Sequence, residues 1–135
     1  MRTTTISAST RQTDRTRWAP IRADLVFWSV VGAVVAALDR PLESWWNVPH
    51  AVLLEAGLAF LGGGVGLLFG LSRLRPTPRA LVAGFAVTNL LLAPTLWALA
   101  LSGWLALSAA GNWAVADAGA VALGLGVWQL AAARR

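Results

Sequence analysis

Four long apolar stretches, separated by short runs of Arg, Pro, Trp and Asn, set the pattern of the chain and predict helices over 21–38, 49–71, 80–101 and 113–133. At about 1.5 Å per residue the last three cross a hydrocarbon core about 30 Å thick. The first, interrupted by Arg22 and Asp24 near its start, just spans it. Residues 1–17 are rich in Thr, Ser and Arg and lack apolar periodicity, which predicts a flexible tail, with Trp18 and Pro20 marking the approach to the membrane. The stretch 39–48 mixes turn formers with interfacial aromatics and reads as a connection, and Pro76 and Pro78 stop the second helix. Pro94 is expected to bend the third. The predicted class is all-α: a tail over 1–20, then an integral membrane four-helix bundle over 21–135.

Composition agrees with the bilayer as solvent, because 57% hydrophobic against 13% charged residues, with mean hydropathy +0.64, exceeds what a soluble core needs. Ten of the eleven arginines fall in the tail and first-helix start (Arg2, Arg11, Arg15, Arg17, Arg22), the middle turn (Arg73, Arg75, Arg79) and the C-terminus (Arg134, Arg135); Arg40 alone lies across the membrane. This asymmetry predicts a multi-pass protein of the bacterial cell (inner) membrane with both termini cytoplasmic. The net charge of +5 therefore marks helix ends, and no nucleic-acid partner is expected. With no cysteine, thiol catalysis and thiolate metal sites are excluded for the chain itself. A single histidine, His50, excludes bis-histidine haem or three-histidine zinc within one chain. No cofactor and no metal are expected.

A shift of 62 residues aligns Glu55-Ala56-Gly57 with Asp117-Ala118-Gly119, Leu61-Gly62 with Leu123-Gly124, Gly64-Val65 with Gly126-Val127, and Leu68 with Leu130. This predicts two duplicated helical hairpins in parallel orientation. Glu55, Ala59, Gly62, Gly66 and Gly70 share one small face of the second helix, and Asp117, Ala120 and Gly124 repeat it in the fourth. Such faces favour close helix approach, so both acids are expected to point into helix contacts, and a homo-oligomer is expected of the glycine-rich faces.

An ionisable group within a span costs about 2.5–3.5 kcal/mol on insertion scales, which makes Glu55 and Asp117 the leading functional candidates. The expected site is an outward-facing pocket around the two carboxyls. His50 is a third catalytic candidate, and Trp45, Trp46, Asn47, Asn89, Trp97, Asn112 and Trp113 are the expected ligand contacts. The leading reading is a small membrane protein that binds a lipid-soluble molecule such as a quinone, isoprenoid or lipid. One alternative is an acid–base cyclase or isomerase in which one carboxyl protonates the substrate and the other accepts a proton. Another is a proton-coupled transporter. A purely structural alternative has each carboxyl protonated, or hydrogen-bonded to Asn89, Thr88, Thr95, Ser29 or a backbone carbonyl, and acting as a pin between helices.

The stretch Glu55 to Arg73, with an acidic residue, a run of glycines and Gly70-Leu71 ahead of an arginine, resembles the second helix of the DoxX-like bacterial membrane proteins. The resemblance implies a four-helix membrane subunit associated with quinone or sulfur redox partners. It carries Glu55 and Arg73 over as functional positions.

Overall fold

The computed structural model describes residues 3–74 and 76–134, with side chains described at residue 12 and from 14 onward. Five helices make up its regular structure: α1 (Thr3–Ala37), α2 (Asp39–Trp46), α3 (His50–Leu71), α4 (Arg79–Ser102) and α5 (Ala109–Ala133). No strand occurs among the described residues. Asp14–Ala37 of α1 and the whole of α3, α4 and α5 are long and apolar enough to cross a membrane. The chain is thus an all-α, multi-pass membrane helical protein, with α4 continuous through Pro94.

Two elements differ from the sequence reading. Helix α1 begins at Thr3, where a tail without regular structure is expected. Its membrane-entering part is tied down by the Thr77 N–H, which donates to Asp14 Oδ1 at 2.5 Å across the α3–α4 turn. Trp18 and Ile21 are buried between the exposed Arg15 and Arg22, so the arginines ride on one side of a helix whose other side is core. The second difference is α2, where a plain connection is expected. Pro41 sits in the first turn, where its missing N–H costs no helical bond. Leu42 is buried, and Asn47 closes the helix in the left-handed region at φ 58°.

The far end of α2 is fastened to the α4–α5 loop. Asn47 Nδ2 donates to the Ala106 carbonyl at 2.9 Å, and the Ser108 N–H donates to the Trp46 carbonyl at 3.1 Å. The Ser108 hydroxyl donates to the Trp45 carbonyl and accepts the Gly111 N–H at 3.1 Å, capping α5. Ser108→Ala loses the cap and the tie together and is expected to cost about 1–2 kcal/mol, read as a lower Tm in detergent. Ser108→Asp, which caps but has no proton to donate when ionised, is expected to restore only part of that loss.

Helices pair with their sequence neighbours. Gly57 of α3 lies against Gly32 and Ala36 of α1 so closely that an added Cβ would sit 2.6 Å from the Ala36 nitrogen. Gly119 of α5 lies against Ala93 and Trp97 of α4, with an added Cβ 2.7 Å from Trp97 Nε1. Gly64 meets Ser29, and Gly126 meets Leu90, so residues aligned by the 62-residue shift occupy the same packing positions. Their contacts on α1 and α4 are offset by 61 instead, which explains why the first helix of each hairpin aligns poorly under the other shift.

The hairpins meet at the end of the bundle where the spanning part of α1 begins and α5 ends, through Trp18, Ile21, Leu25, Val82, Ala132 and Ala133. Away from that end the bundle is open. No Cα of α3 lies within 8 Å of one in α4 or α5 among the described residues, so the backbone of α3 lies close to α1 and α2 alone, with Leu68 and Leu71 reaching the shared core by their side chains. A groove remains between α3 and α4, floored by α1.

Candidate functional site

The polar groups that the fold brings together are not the pair expected from the sequence. Asp24 of α1 is 3% exposed, and Asn89 of α4 and Gln129 of α5 are buried beside it. Asn89 Nδ2 donates to Asp24 Oδ2 at 2.7 Å and to Gln129 Oε1 at 3.0 Å. Gln129 Nε2 donates to the same Asp24 Oδ2 at 2.8 Å. Each of the three side chains comes from a different spanning helix. Asn89 stands ten residues beyond the start of α4 and Gln129 four residues before the end of α5, about 15 and 6 Å along their axes, which puts the cluster inside the spanning segments on the side where both chain ends lie.

The arrangement saturates one carboxylate oxygen and neglects the other. Asp24 Oδ1 is buried and has no hydrogen-bond partner among the described residues. An orphaned acceptor of this kind is costly and, in a native fold, calls for a partner that the chain itself does not supply. Asp24 and Asn89 floor the groove between α3 and α4, about 280 Å³ in volume. Trp28 and Phe60 form one wall, stacked with ring centroids 5.6 Å apart and planes 25° apart. Phe85, Thr88 and Leu92 of α4 face them across the gap, with Ala59, Gly63 and Leu67 along the α3 rim.

Glu55 and Asp117 are exposed on α3 and α5, two helices that do not touch, and neither makes a hydrogen bond or ion pair among the described residues. The shared pocket expected around them is not formed within the chain. The reason lies in which glycine face packs. Gly57 and Gly64 take the contact with α1, whereas Ala59, Gly62, Gly66 and Gly70 are exposed, with nothing within 4 Å of a Cβ built on the three glycines. On α5, Ala120 and Gly124 are likewise open. The structural alternative fails as well, because the hydroxyls of Ser29, Thr88 and Thr95 donate to carbonyls of their own helices and Asn89 serves Asp24.

The remaining candidates scatter. His50 Nδ1 lies 3.5 Å from Glu43 Oε2, a half-exposed pair at the start of α3. Trp45 and Trp113 are 66% and 71% exposed, and Trp46 and Asn47 belong to the joint with the α4–α5 loop. Trp97 is a strut between α4 and α5, its Nε1 donating to the Ala116 carbonyl at 2.9 Å. Asn112 and Trp113 share a shallow recess with Ala116. Glu55 and Arg73, the positions carried over by the DoxX-like resemblance, are 18 residues apart on the α3 side, about 27 Å along a helix axis. Arg73 lies over the Phe69 ring at 5.2 Å.

Of the sequence candidates, Asn89 alone belongs to the buried cluster. Asp24 escapes a sequence reading that starts the first span at residue 21, because it then falls at the membrane surface; with the span beginning at Asp14 it stands ten residues inside. Gln129 carries a usable signal, as an uncharged polar side chain within the last turns of an apolar run. No protein-family model, curated protein or solved structure matches the chain, so the assignment of a role rests on this geometry.

Proposed function

We propose that the chain is a cell-membrane protein, with both termini cytoplasmic, that takes a lipid-soluble small molecule from the bilayer into the groove between α3 and α4. The observation that carries this reading is the unpartnered Asp24 Oδ1, buried at the floor of a groove whose walls are apolar and aromatic. A ligand with an apolar body fills the walls and presents its polar end to the carboxylate, the usual division of labour in small-molecule sites. Because α3 and α4 do not close on one another, the molecule enters sideways between them. The matched environments of Gly57 and Gly119, and of Gly64 and Gly126, further support two hairpins derived from one duplicated unit.

Native mass spectrometry of the detergent-purified protein tests the reading. The wild-type chain is expected to retain a lipid-soluble molecule. Gly63→Leu is expected to lose it with helicity and Tm unchanged, because Gly63 lines the groove and nothing lies within 4 Å of the position of its Cβ. Equal retention by the two proteins would place the molecule elsewhere, and a bare wild-type chain that also binds no added amphiphile would end the proposal.

A further inference from the structure

We infer that the polar end of the groove's ligand is cationic, an ammonium bearing at least one N–H, so that the chain is a receptor for lipophilic amines. The inference rests on the groove reading above and adds the chemical class. It follows from an account of charge and of hydrogen-bond donors around Asp24.

Charge comes first. Among the described residues no Arg or His lies within 4.0 Å of the Asp24 carboxylate, and the ion pair they form is that of His50 with Glu43. Two amides donate to Oδ2, and amides carry no compensating charge. A carboxylate that stays charged within a membrane span calls for a compensating positive charge. The cation at this depth among the described residues is Arg22, about 3 Å away along the α1 axis, and it is exposed on the side of the helix away from the core and makes no ion pair with Asp24.

The donors give the same answer. Both Asn89 Nδ2 hydrogens are committed, to Asp24 Oδ2 and to Gln129 Oε1. The Ser29 hydroxyl beneath the groove donates to the Leu25 carbonyl at 2.6 Å, and the Thr88 hydroxyl on its wall donates to the Gly84 carbonyl at 3.0 Å. What remains unused among the polar atoms of the lining residues is acceptor: Asp24 Oδ1, buried at the groove floor, and the second lone pair of the Thr88 oxygen. An anion or a ligand carbonyl would meet acceptors. A neutral alcohol supplies a proton to Oδ1 but leaves the carboxylate charge uncompensated. An ammonium supplies both, in the stronger, charge-assisted form of the hydrogen bond.

The walls fit the same head group. Trp28, Phe60 and Phe85 line the same groove as Asp24, Trp28 one helical turn beyond it on α1, and aromatic rings attract a desolvated cation. The other lining groups are aliphatic, which suits a hydrocarbon or ring-system body.

The test uses full-length protein in a neutral detergent and tritiated dodecylammonium in a scintillation proximity assay, with dodecanol and dodecanoate as competitors. Dodecylammonium is expected to bind the wild type, with dodecanol a competitor about 10-fold weaker or worse and dodecanoate inactive. Asp24→Asn keeps the shape and an oxygen for the two amides, and it is expected to lower dodecylammonium affinity about 10- to 100-fold. Its Tm and circular dichroism check that the fold survives. Trp28→Leu leaves the carboxylate in place and is expected to weaken the ammonium severalfold and dodecanol little. If dodecanol competes as well as the ammonium and Asp24→Asn changes nothing, the cationic assignment is wrong while the groove stands. If none of the three amphiphiles binds, or Gly63→Leu does not reduce their binding, the groove itself is not the site and both readings fall.

Discussion

Gly57→Leu is expected to detach α3 from the molecule, whereas Gly66→Leu on the same helix is expected to leave stability unchanged. The contrast follows from what each new side chain meets. At Gly57 a Cβ alone would stand 2.6 Å from the Ala36 nitrogen and 2.7 Å from the Gly32 carbonyl oxygen. Both are backbone atoms of a helix and cannot step aside as the end of a flexible side chain would. At Gly66 nothing lies within 4 Å. Overpacking a tight contact costs about 1–3 kcal/mol when neighbours can shift, and more when backbone must move. Because α3 has α1 and α2 but no third helix against its backbone, there is little else to hold it. Unfolding of the purified protein by SDS, followed by tryptophan fluorescence, measures the difference. A Gly57→Leu protein as resistant as wild type would mean that α1 and α3 are further apart than described.

Asn89→Leu is expected to be the most damaging change among the polar residues, costing about 3–5 kcal/mol. It removes the donor that serves both Asp24 and Gln129, and it leaves a buried carboxylate with one amide in place of two. Stripping the partner from a buried charge costs far more than the pair contributes net, since the desolvation penalty stays when the compensation is gone. The same logic predicts rescue. The double variant Asp24→Leu/Asn89→Leu removes the charge along with its donor and is expected to regain a large part of the lost stability. A double-mutant cycle measured by SDS or thermal unfolding resolves this. Strict additivity of the two single changes would show that Asp24 and Asn89 are not partners.

The spans were legible because the bilayer imposes a simple demand: a helix of sufficient length with few charges. Predicted ends at 71 and 133 coincide with those of α3 and α5, and 80–101 falls within one residue of Arg79–Ser102. The start of α1 was not legible, since Arg15, Arg17 and Arg22 look like flanking charge until the helix places Trp18 and Ile21 on its buried side. That displacement hid Asp24. Helix α2 was missed because Asp39, Pro41 and Asn47 are turn formers as readily as they are the first turn and the terminus of a short helix.

Glu55 and Asp117 were found at matched positions, yet their direction was not readable from spacing. Helix α3 carries two small faces, Gly57 with Gly64 and Ala59 with Gly62, Gly66 and Gly70, and helical periodicity fits either as the packed one. What decides is the shape of α1, where Gly32 and Ser29 leave room at the positions opposite Gly57 and Gly64. Complementarity between two helices distant in sequence is not recorded in the pattern of one.

The pairing of each helix with its neighbour in the chain bears on how the protein is made. The glycine contacts of α1 with α3, and of α4 with α5, join segments that leave the ribosome close together, so each hairpin completes its seam soon after insertion. The bonds from Asp24 to Asn89 and Gln129 span 65 and 105 residues, so the first waits for α4 and the second for the final helix. Docking of the two hairpins is therefore the late event of biogenesis. Until the last helix arrives, the Asp24 carboxylate lacks the Gln129 amide, and Asn89 lacks the Gln129 oxygen that takes its second hydrogen.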